Sequence, residues 1–273
     1  MARVRVFEVG GGGARVGARV AYVDGASIDP ADAQLLARRL GAPLTVLELA
    51  PRREDCSRRL RVFTPTRELP LSMEAAWCAA AVLGDEPLVV EMGVTATTVR
   101  ADGDGYTATL PTPVLGQRAV EDRLTVAAAL GLDAESLDAT QPVLAGSCGV
   151  NVLVVPVTAR VTLERVQLHP EAWQRVMGKA KHVGALVVAT EDEGREGRFA
   201  GAPSGLWDGT GGALALAPWA LAQQRAGATL AGARYSLQGE AGFGVTLTVA
   251  HAPEAGWTMR GTVRVISDGR VVA

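Results

Sequence analysis

The chain has 273 residues, 48% of them hydrophobic and 21% charged, with a formal net charge of −2 and a pI near 6.0. That composition is globular, and the length suits two domains or one large one. It excludes a disordered or collagen-like chain and carries no basic footprint for nucleic acid. Cys56, Cys78 and Cys148 are odd in number and widely spaced, as expected of reduced thiols in a cytoplasmic protein. They and His169, His182 and His251 show no metal-ligand spacing, so no metal is expected. The opening MARVRVFEVG becomes strand-like at once and lacks the apolar stretch of a signal peptide.

Val4–Val9 and Val16–Val23 alternate as strands, and Gly10 to Gly13 lie between them. A phosphate-cradling loop would require a helix next. A strand comes instead, so the glycines are expected to form a flexible hairpin. Asp29-Pro30 predicts a helix start, with an N-cap and a first-turn proline. Leu35, Leu36 and Leu40 would be its buried face and Gly41 its end. Strands are expected at Thr45–Leu49 and Leu60–Thr64, around a charged, solvated loop from Arg52 to Arg59.

The segment Leu60 to Gly84, LRVFTPTRELPLSMEAAWCAAAVLG, is the centre around which the first half is arranged. A strand and a Pro-punctuated loop lead into a helix that opens at Ser72 and is apolar on all sides, with Glu74 its one charge. Such a helix must be buried on all sides, and at about 12 residues it is too short to span a bilayer. Glu74 lies in the first turn, where the helix dipole favours negative charge. It is either a helix-stabilising acid or the edge of a site.

A strand at Leu88–Val94 and a hairpin from Thr97 to Leu110, turning at Asp102-Gly103-Asp104-Gly105, complete the first half. Pro111–Gln117 reads as the boundary between a first domain (1–117) and a second (118–263). A return of the last strand, about 264–273, to the first domain is left open. Beyond the boundary the pattern predicts a helix (Val120–Leu130), a strand buried on both faces (Val150–Val157), a helix (Pro170–Lys179), a strand (Ala185–Thr190) and an exposed charged loop (Glu191–Arg198). Phe199–Ala222 is a second Ala-rich helical segment, with Pro218 expected to kink or end it. Three closing strands are expected near Leu230–Leu237, Val245–His251 and Met259–Ile266.

The two apolar segments echo each other. Each has a Phe at a strand end, a Pro-containing loop, and a short Ala-rich helix whose opening carries an acid and a small hydroxyl residue: Ser72 and Glu74, then Asp208 and Thr210. Two such halves would form similar domains, with facing helix N-termini whose free N–H groups could receive a carboxylate. Trp207 would line the cleft as an apolar wall or pack in the core. Cys78 and Cys148 read as packing residues. Arg19, Arg67 and Arg198 lie near motif loops and are candidates for pairing a substrate carboxylate.

FTPTRELPLSMEAAWCAAAVLG resembles the PhzF family, relatives of diaminopimelate epimerase and the proline racemases. GLWDGTGGA, the stretch Ser147–Val157 and Gln238-Gly239-Glu240 agree in the same order, so the resemblance covers nearly the whole chain. It implies an α+β fold of two pseudo-symmetric domains, each a curled mixed sheet around a central buried helix. It also implies cofactor-independent isomerisation of a small carboxylic or amino acid in antibiotic-type secondary metabolism, modified-proline precursors included, by a homodimer. No nucleic-acid or membrane partner is implied. By position in the motifs, Glu74 and Asp208 are the expected catalytic pair, and Ser72, Met73, Trp207, Thr210, Gly211 and Gly212 the expected substrate contacts. Leu44 falls where the family carries its catalytic Glu, and Glu74 where it carries a His. Ser72 and Thr210 fall where the epimerase branch carries two cysteines, which excludes a thiol-based two-base racemase. Two readings result: an isomerase whose acid/base work has moved to Glu74, or a non-catalytic homologue that binds a small acid or a partner enzyme.

Overall fold

The computed structural model describes residues 1–10, 16–29, 31–84, 87–119, 122–177, 182–191, 195–201, 212–229, 233–238 and 244–271. The first half runs β1 (Ala2–Val9), β2 (Ala18–Asp24), α1 (Ala33–Leu40), β3 (Leu44–Leu49), β4 (Arg58–Phe63), β5 (Glu68–Leu69), α2 (Met73–Leu83), β6 (Leu88–Glu91), β7 (Ala96–Asp102) and β8 (Gly105–Thr109). The second runs β9 (Val114–Ala119), α3 (Arg123–Ala129), β10 (Leu144–Ser147), β11 (Asn151–Val157), α4 (Val161–Arg165), α5 (Pro170–Met177), β12 (Gly184–Ala189), β13 (Glu196–Ala200), α6 (Gly212–Arg225), β14 (Ala233–Gln238), β15 (Gly244–Ala252) and β16 (Gly256–Val271).

The strands are hydrogen-bonded in the order β1-β2-β3-β4-β6-β7-β8-β16-β15-β14-β13-β12-β11-β10-β9, and β16 also pairs with β1. The first eight strands of that order therefore close into a ring. Its pairings are mixed: β2 with β3 and β4 with β6 are parallel, the others antiparallel. The ring encloses α2, which packs against β2, β4, β7, β8 and β16. The remaining strands curl around α6, which packs against β9, β10, β11, β12, β13 and β15. The fold is α+β, two curled mixed sheets each wrapped on a central helix.

Both central helices are buried on all sides over their first turns, Met73–Ala80 in α2 and Gly212–Ala220 in α6, as their lack of a polar face requires. Each sheet approaches its helix through a glycine. A Cβ on Gly261 of β16 would lie 2.5 Å from Trp77 Cζ3, and one on Gly146 of β10 would lie 2.5 Å from Pro218 Cβ. Pro218 does not end α6, which continues to Arg225. The proline ring packs over Gly146, and burial of the whole helix outweighs the one backbone hydrogen bond that proline removes.

Outer layers cover each sheet. Ala33, Leu36 and Ala37 of α1 pack with Ala2, Val23, Leu47 and Phe63. Val126, Leu163 and Trp173, from α3, α4 and α5, cover Leu153, Val155 and Val157 of β11 and Val187 of β12. The opposite face of β11, with Val152 and Val154, joins the α6 core. Burial on both faces, expected from its continuous Val and Leu run, is thus explained.

Several boundaries differ from expectation. Asp29 Oδ1 accepts from Ala31 N–H (2.8 Å) in a local turn, and the helix starts later, behind Asp32. Its buried face is Ala33, Leu36, Ala37 and Leu40, at i, i+3, i+4 and i+7, which turns Leu35 out to solvent. Arg58 and Arg59 belong to β4 rather than to a loop, since they pair with Val90 and Glu91 of β6, and the Arg58 side chain forms an ion pair with Glu48 (2.9 Å). Glu196 to Arg198 likewise open β13. The expected strand to Val94 stops at Glu91, whose carboxylate caps the Arg52 and Arg53 N–H groups. The helix expected from Val120 is set by Asp122, which accepts from Thr125 N–H at 3.0 Å.

Candidate functional site

α2 starts where its sequence dictates. Ser72 is extended (φ −155°, ψ 129°) and its hydroxyl accepts from Ala75 N–H (3.2 Å), satisfying one of the free donors of the first turn. The same hydroxyl donates to Glu74 Oε2 at 2.7 Å. Glu74 is 3% exposed, and its Oε1 accepts no hydrogen bond among the described residues. Burial raises its carboxyl from the ordinary 4.5 to about 7, against the opposing pull of the Ser72 hydroxyl and its own backbone N–H. One turn on, Cys78 is buried, and burial together with the Glu74 charge holds its thiol far above the ordinary range. That thiol is no nucleophile.

The start of α2 lies at the junction of the two halves. A Cβ on Gly149 (φ 81°), in the turn between β10 and β11, would lie 2.7 Å from Leu71 Cδ2 and 3.6 Å from Val94 Cγ2. The turn of the second half therefore sits directly on the residue preceding Ser72, and a glycine there gives both the positive φ and the room. Neighbouring Cys148 is buried, donates to Pro111 O (3.4 Å), and has its thiol raised to about 12 by burial.

Ser72, Met73 and Glu74 are thus together at one helix start. Met73 is fully buried in the core cluster. Gly212 opens α6 and is buried, where a Cβ would lie 2.6 Å from Leu237 Cδ1. Trp207, Asp208, Thr210 and Gly211 lie outside the described residues. Leu44, in the place expected of a catalytic Glu, is fully buried at the start of β3.

The three arginines separate. Arg19 is exposed on β2, opposite Glu8. Arg198 donates to the carbonyls of Leu163 and Glu164, on the outer layer. Arg67, between β4 and β5, buries its Nε without an acceptor among the described residues, and burial lowers its pKa. The sequence offered no account of Tyr22; its buried hydroxyl donates to Glu48 Oε2 (2.9 Å) and its ring meets Phe7 edge-on. A hollow of about 190 Å³ lined by Arg3, Arg5, Tyr22, Asp24, Glu48 and Val82 lies by the opposite end of α2 from Ser72. No helix among the described residues is long and apolar enough to cross a membrane.

A family model described as phenazine biosynthesis-like protein (PhzC-PhzF) matches residues 11–207. No curated protein sequence matches significantly. Among solved structures, a predicted epimerase from Pseudomonas aeruginosa aligns over 100% of both chains with 22% identity and a TM-score of 0.79. A PhzF-family phenazine biosynthesis protein from Bacillus anthracis aligns over 100% of this chain and 99% of its own, with 18% identity and a TM-score of 0.76. A hydroxyproline epimerase from Agrobacterium vitis, with bound trans-4-hydroxy-L-proline, aligns over 98% and 91%, with 14% identity and a TM-score of 0.63.

Proposed function

Since this chain belongs to the PhzC-PhzF family of phenazine biosynthesis-like proteins, we propose that it is a cofactor-independent isomerase that moves a proton, or a double bond, within a small amino or cyclic carboxylic acid. One observation carries the reading: a buried carboxyl at a helix start, Glu74, whose pKa of about 7 leaves it divided between acid and base at neutral pH. A group so poised abstracts a proton in one form and returns it in the other.

The chemistry balances without a cofactor. Glu74 takes the proton of an acidified C–H bond, the electron pair passes into the conjugated system, and a proton is delivered to a second carbon. The free N–H groups of the first turns of α2 and α6 receive the substrate carboxylate. Asp208 is the second acid/base or electrostatic partner, and Ser72, Met73, Trp207, Thr210, Gly211 and Gly212 are the contacts that hold the substrate. The same-fold hydroxyproline epimerase, holding trans-4-hydroxy-L-proline, supports a compact cyclic amino acid as substrate. Secondary metabolism of the antibiotic type, in the cytoplasm and by a homodimer, is the setting we assign.

A second reading is favoured by one residue. Leu44 puts an isobutyl group in the core at the aligned place of the family's Glu, as in a homologue that binds a small acid without turning it over. The two readings separate in heavy water. Linear and cyclic amino acids and their unsaturated analogues, incubated with the protein and followed by proton NMR, should lose a C–H signal in at least one case. Binding of such an acid with no exchange anywhere in the panel supports the second reading instead.

A further inference from the structure

We propose that His182 is a second acid/base residue, set by the second half at the same junction to which the first half brings Glu74; this role rests on the isomerase reading above. Its placement follows from strand direction. β11 and β12 are parallel, with Val152 opposite Gly184, so both begin at the same end. Val183 N–H donates to Asn151 O (2.8 Å), which carries the pairing one step back and sets His182 level with Val150. That end of β11 follows the Gly149 turn, which sits on Leu71, the residue before Ser72. A second chain of contacts leads to the other central helix. A Cβ on Gly184 would lie 2.5 Å from Phe199 Cζ, and one on Gly212, the first residue of α6, 3.0 Å from Phe199 Cβ. The start of β12 is thus joined by packed residues to the starts of both α2 and α6.

The side chain is also out of keeping with a packing role. His182 is 6% exposed, yet its Nδ1 has no hydrogen-bond partner among the described residues. A sealed polar atom without a partner costs free energy, and buried polar groups in folded chains are nearly always bonded. His251 shows the ordinary case: its Nδ1 meets the Gln224 amide at 3.0 Å and its ring stacks on Trp257. Glu74 shares the anomaly, with Oε1 sealed and without a partner among the described residues. Each half therefore brings one buried titratable group with an unused atom to the junction. Burial raises Glu74 to about 7 and lowers His182 from 6.5, which erases the ordinary gap between carboxyl and imidazole and lets either hold the proton.

The two halves repeat the local arrangement but not the chemistry. Leu44 opens β3, parallel to β2 and antiparallel to β4, as Gly184 opens β12, parallel to β11 and antiparallel to β13. Gly41, Ala42 and Pro43 precede Leu44 and none of them titrates, whereas an imidazole stands two residues before Gly184. The resulting step balances. The Glu74 carboxylate takes the C–H proton and the electron pair passes into the conjugated system. The imidazolium of His182 gives its proton to the second carbon and is left neutral. In the reverse direction the neutral imidazole takes a proton and the Glu74 carboxyl returns one. Solvent resets the pair by accepting a proton from one group and supplying one to the other. Asp208 then keeps the electrostatic role.

Proton NMR in heavy water tests this, with proline, trans-4-hydroxy-L-proline and their unsaturated analogues as probes. Loss of a C–H signal reads abstraction, and appearance of the isomer reads delivery. His182→Gln should cut isomer formation by about 10²–10⁴-fold while abstraction falls by less than about tenfold. Glu74→Gln should lose both. Added imidazole should restore isomer formation to His182→Ala, which a packing role would not allow. Circular dichroism melts identify any variant that fails to fold. Should both His182 variants be such, ring-nitrogen NMR of the wild type decides, with His169→Gln and His251→Gln assigning His182 by elimination. Its ring signals should shift when a probe binds. Equal loss of both rates in folded His182→Gln overturns the proposal, as do undiminished isomer formation and ring signals that ignore a bound probe. No signal loss with any probe in the wild type is instead the failure of the isomerase reading, and His182 loses its role with it.

Discussion

The Ser72 hydroxyl sits between two partners, accepting from Ala75 N–H at 3.2 Å and donating to Glu74 Oε2 at 2.7 Å. One side chain therefore ends the helix and holds the carboxyl. Its hydrogen bond favours the ionised form, against the burial that favours the neutral one. Ser72→Ala should cost about 1 kcal/mol of stability through the lost cap and should move the Glu74 pKa further above 7. A pH profile of exchange activity reads the second effect as an upward shift of its acid limb, which a purely structural role of Ser72 would not produce.

Glu74 also links stability to pH. Its folded pKa, about 7, lies above its ordinary 4.5, so the folded chain holds a proton that the unfolded chain has released. The contribution is complete below pH 4.5 and is lost as pH rises through 7. Glu74→Gln, neutral throughout, should gain on the wild type across that window by on the order of 3 kcal/mol. Denaturant melts of both proteins on either side of the window measure the difference. A gap that does not change with pH would mean that Glu74 ionises as freely in the folded chain as in the unfolded one.

The two glycines that seat the central helices should tolerate no side chain. Gly261→Ala drives a methyl group to within 2.5 Å of Trp77, and Gly146→Ala does the same to Pro218. Trp77 is fully buried and Pro218 is enclosed in α6, so neither neighbour has room to yield. Each substitution should cost about 1–3 kcal/mol in urea unfolding.

Tyr22→Phe offers a control away from the proposed site. It deletes the hydroxyl that donates to Glu48 Oε2, while Arg58 still donates to Glu48 Oε1 at 2.9 Å. The loss should be about 1 kcal/mol, with the pH profile of exchange unchanged.

The sequence carried the centre of this fold better than its edges. The all-round apolar character of Met73–Leu83 and the run Asn151–Val157 each permit one environment only, and both occupy it. β16 was read as two pieces, Met259–Ile266 and a last strand at about 264–273, because Arg264–Arg270 are exposed on both faces and leave no alternation to trace through them. The short strands β9 and β10 were missed because Gly116 and Gly146 interrupt them and because β9 finds its partner, β10, only beyond α3. α1 misled for a different reason: three leucines drew attention to a face that Ala33 and Ala37 in fact complete. At the site, Ser72 and Glu74 were legible from the capping pattern. That the carboxyl would be sealed, with its ionisation decided by burial rather than by the helix start, depends on the ring of strands around it, and no local pattern reports that.

The most direct test of Glu74 as the acid/base group compares solvent deuterium entry into an accepted substrate for the wild type and Glu74→Gln at neutral pH. The account predicts a fall of about 10²–10⁴-fold in the exchange rate with ligand affinity retained. Exchange undiminished in Glu74→Gln would contradict it.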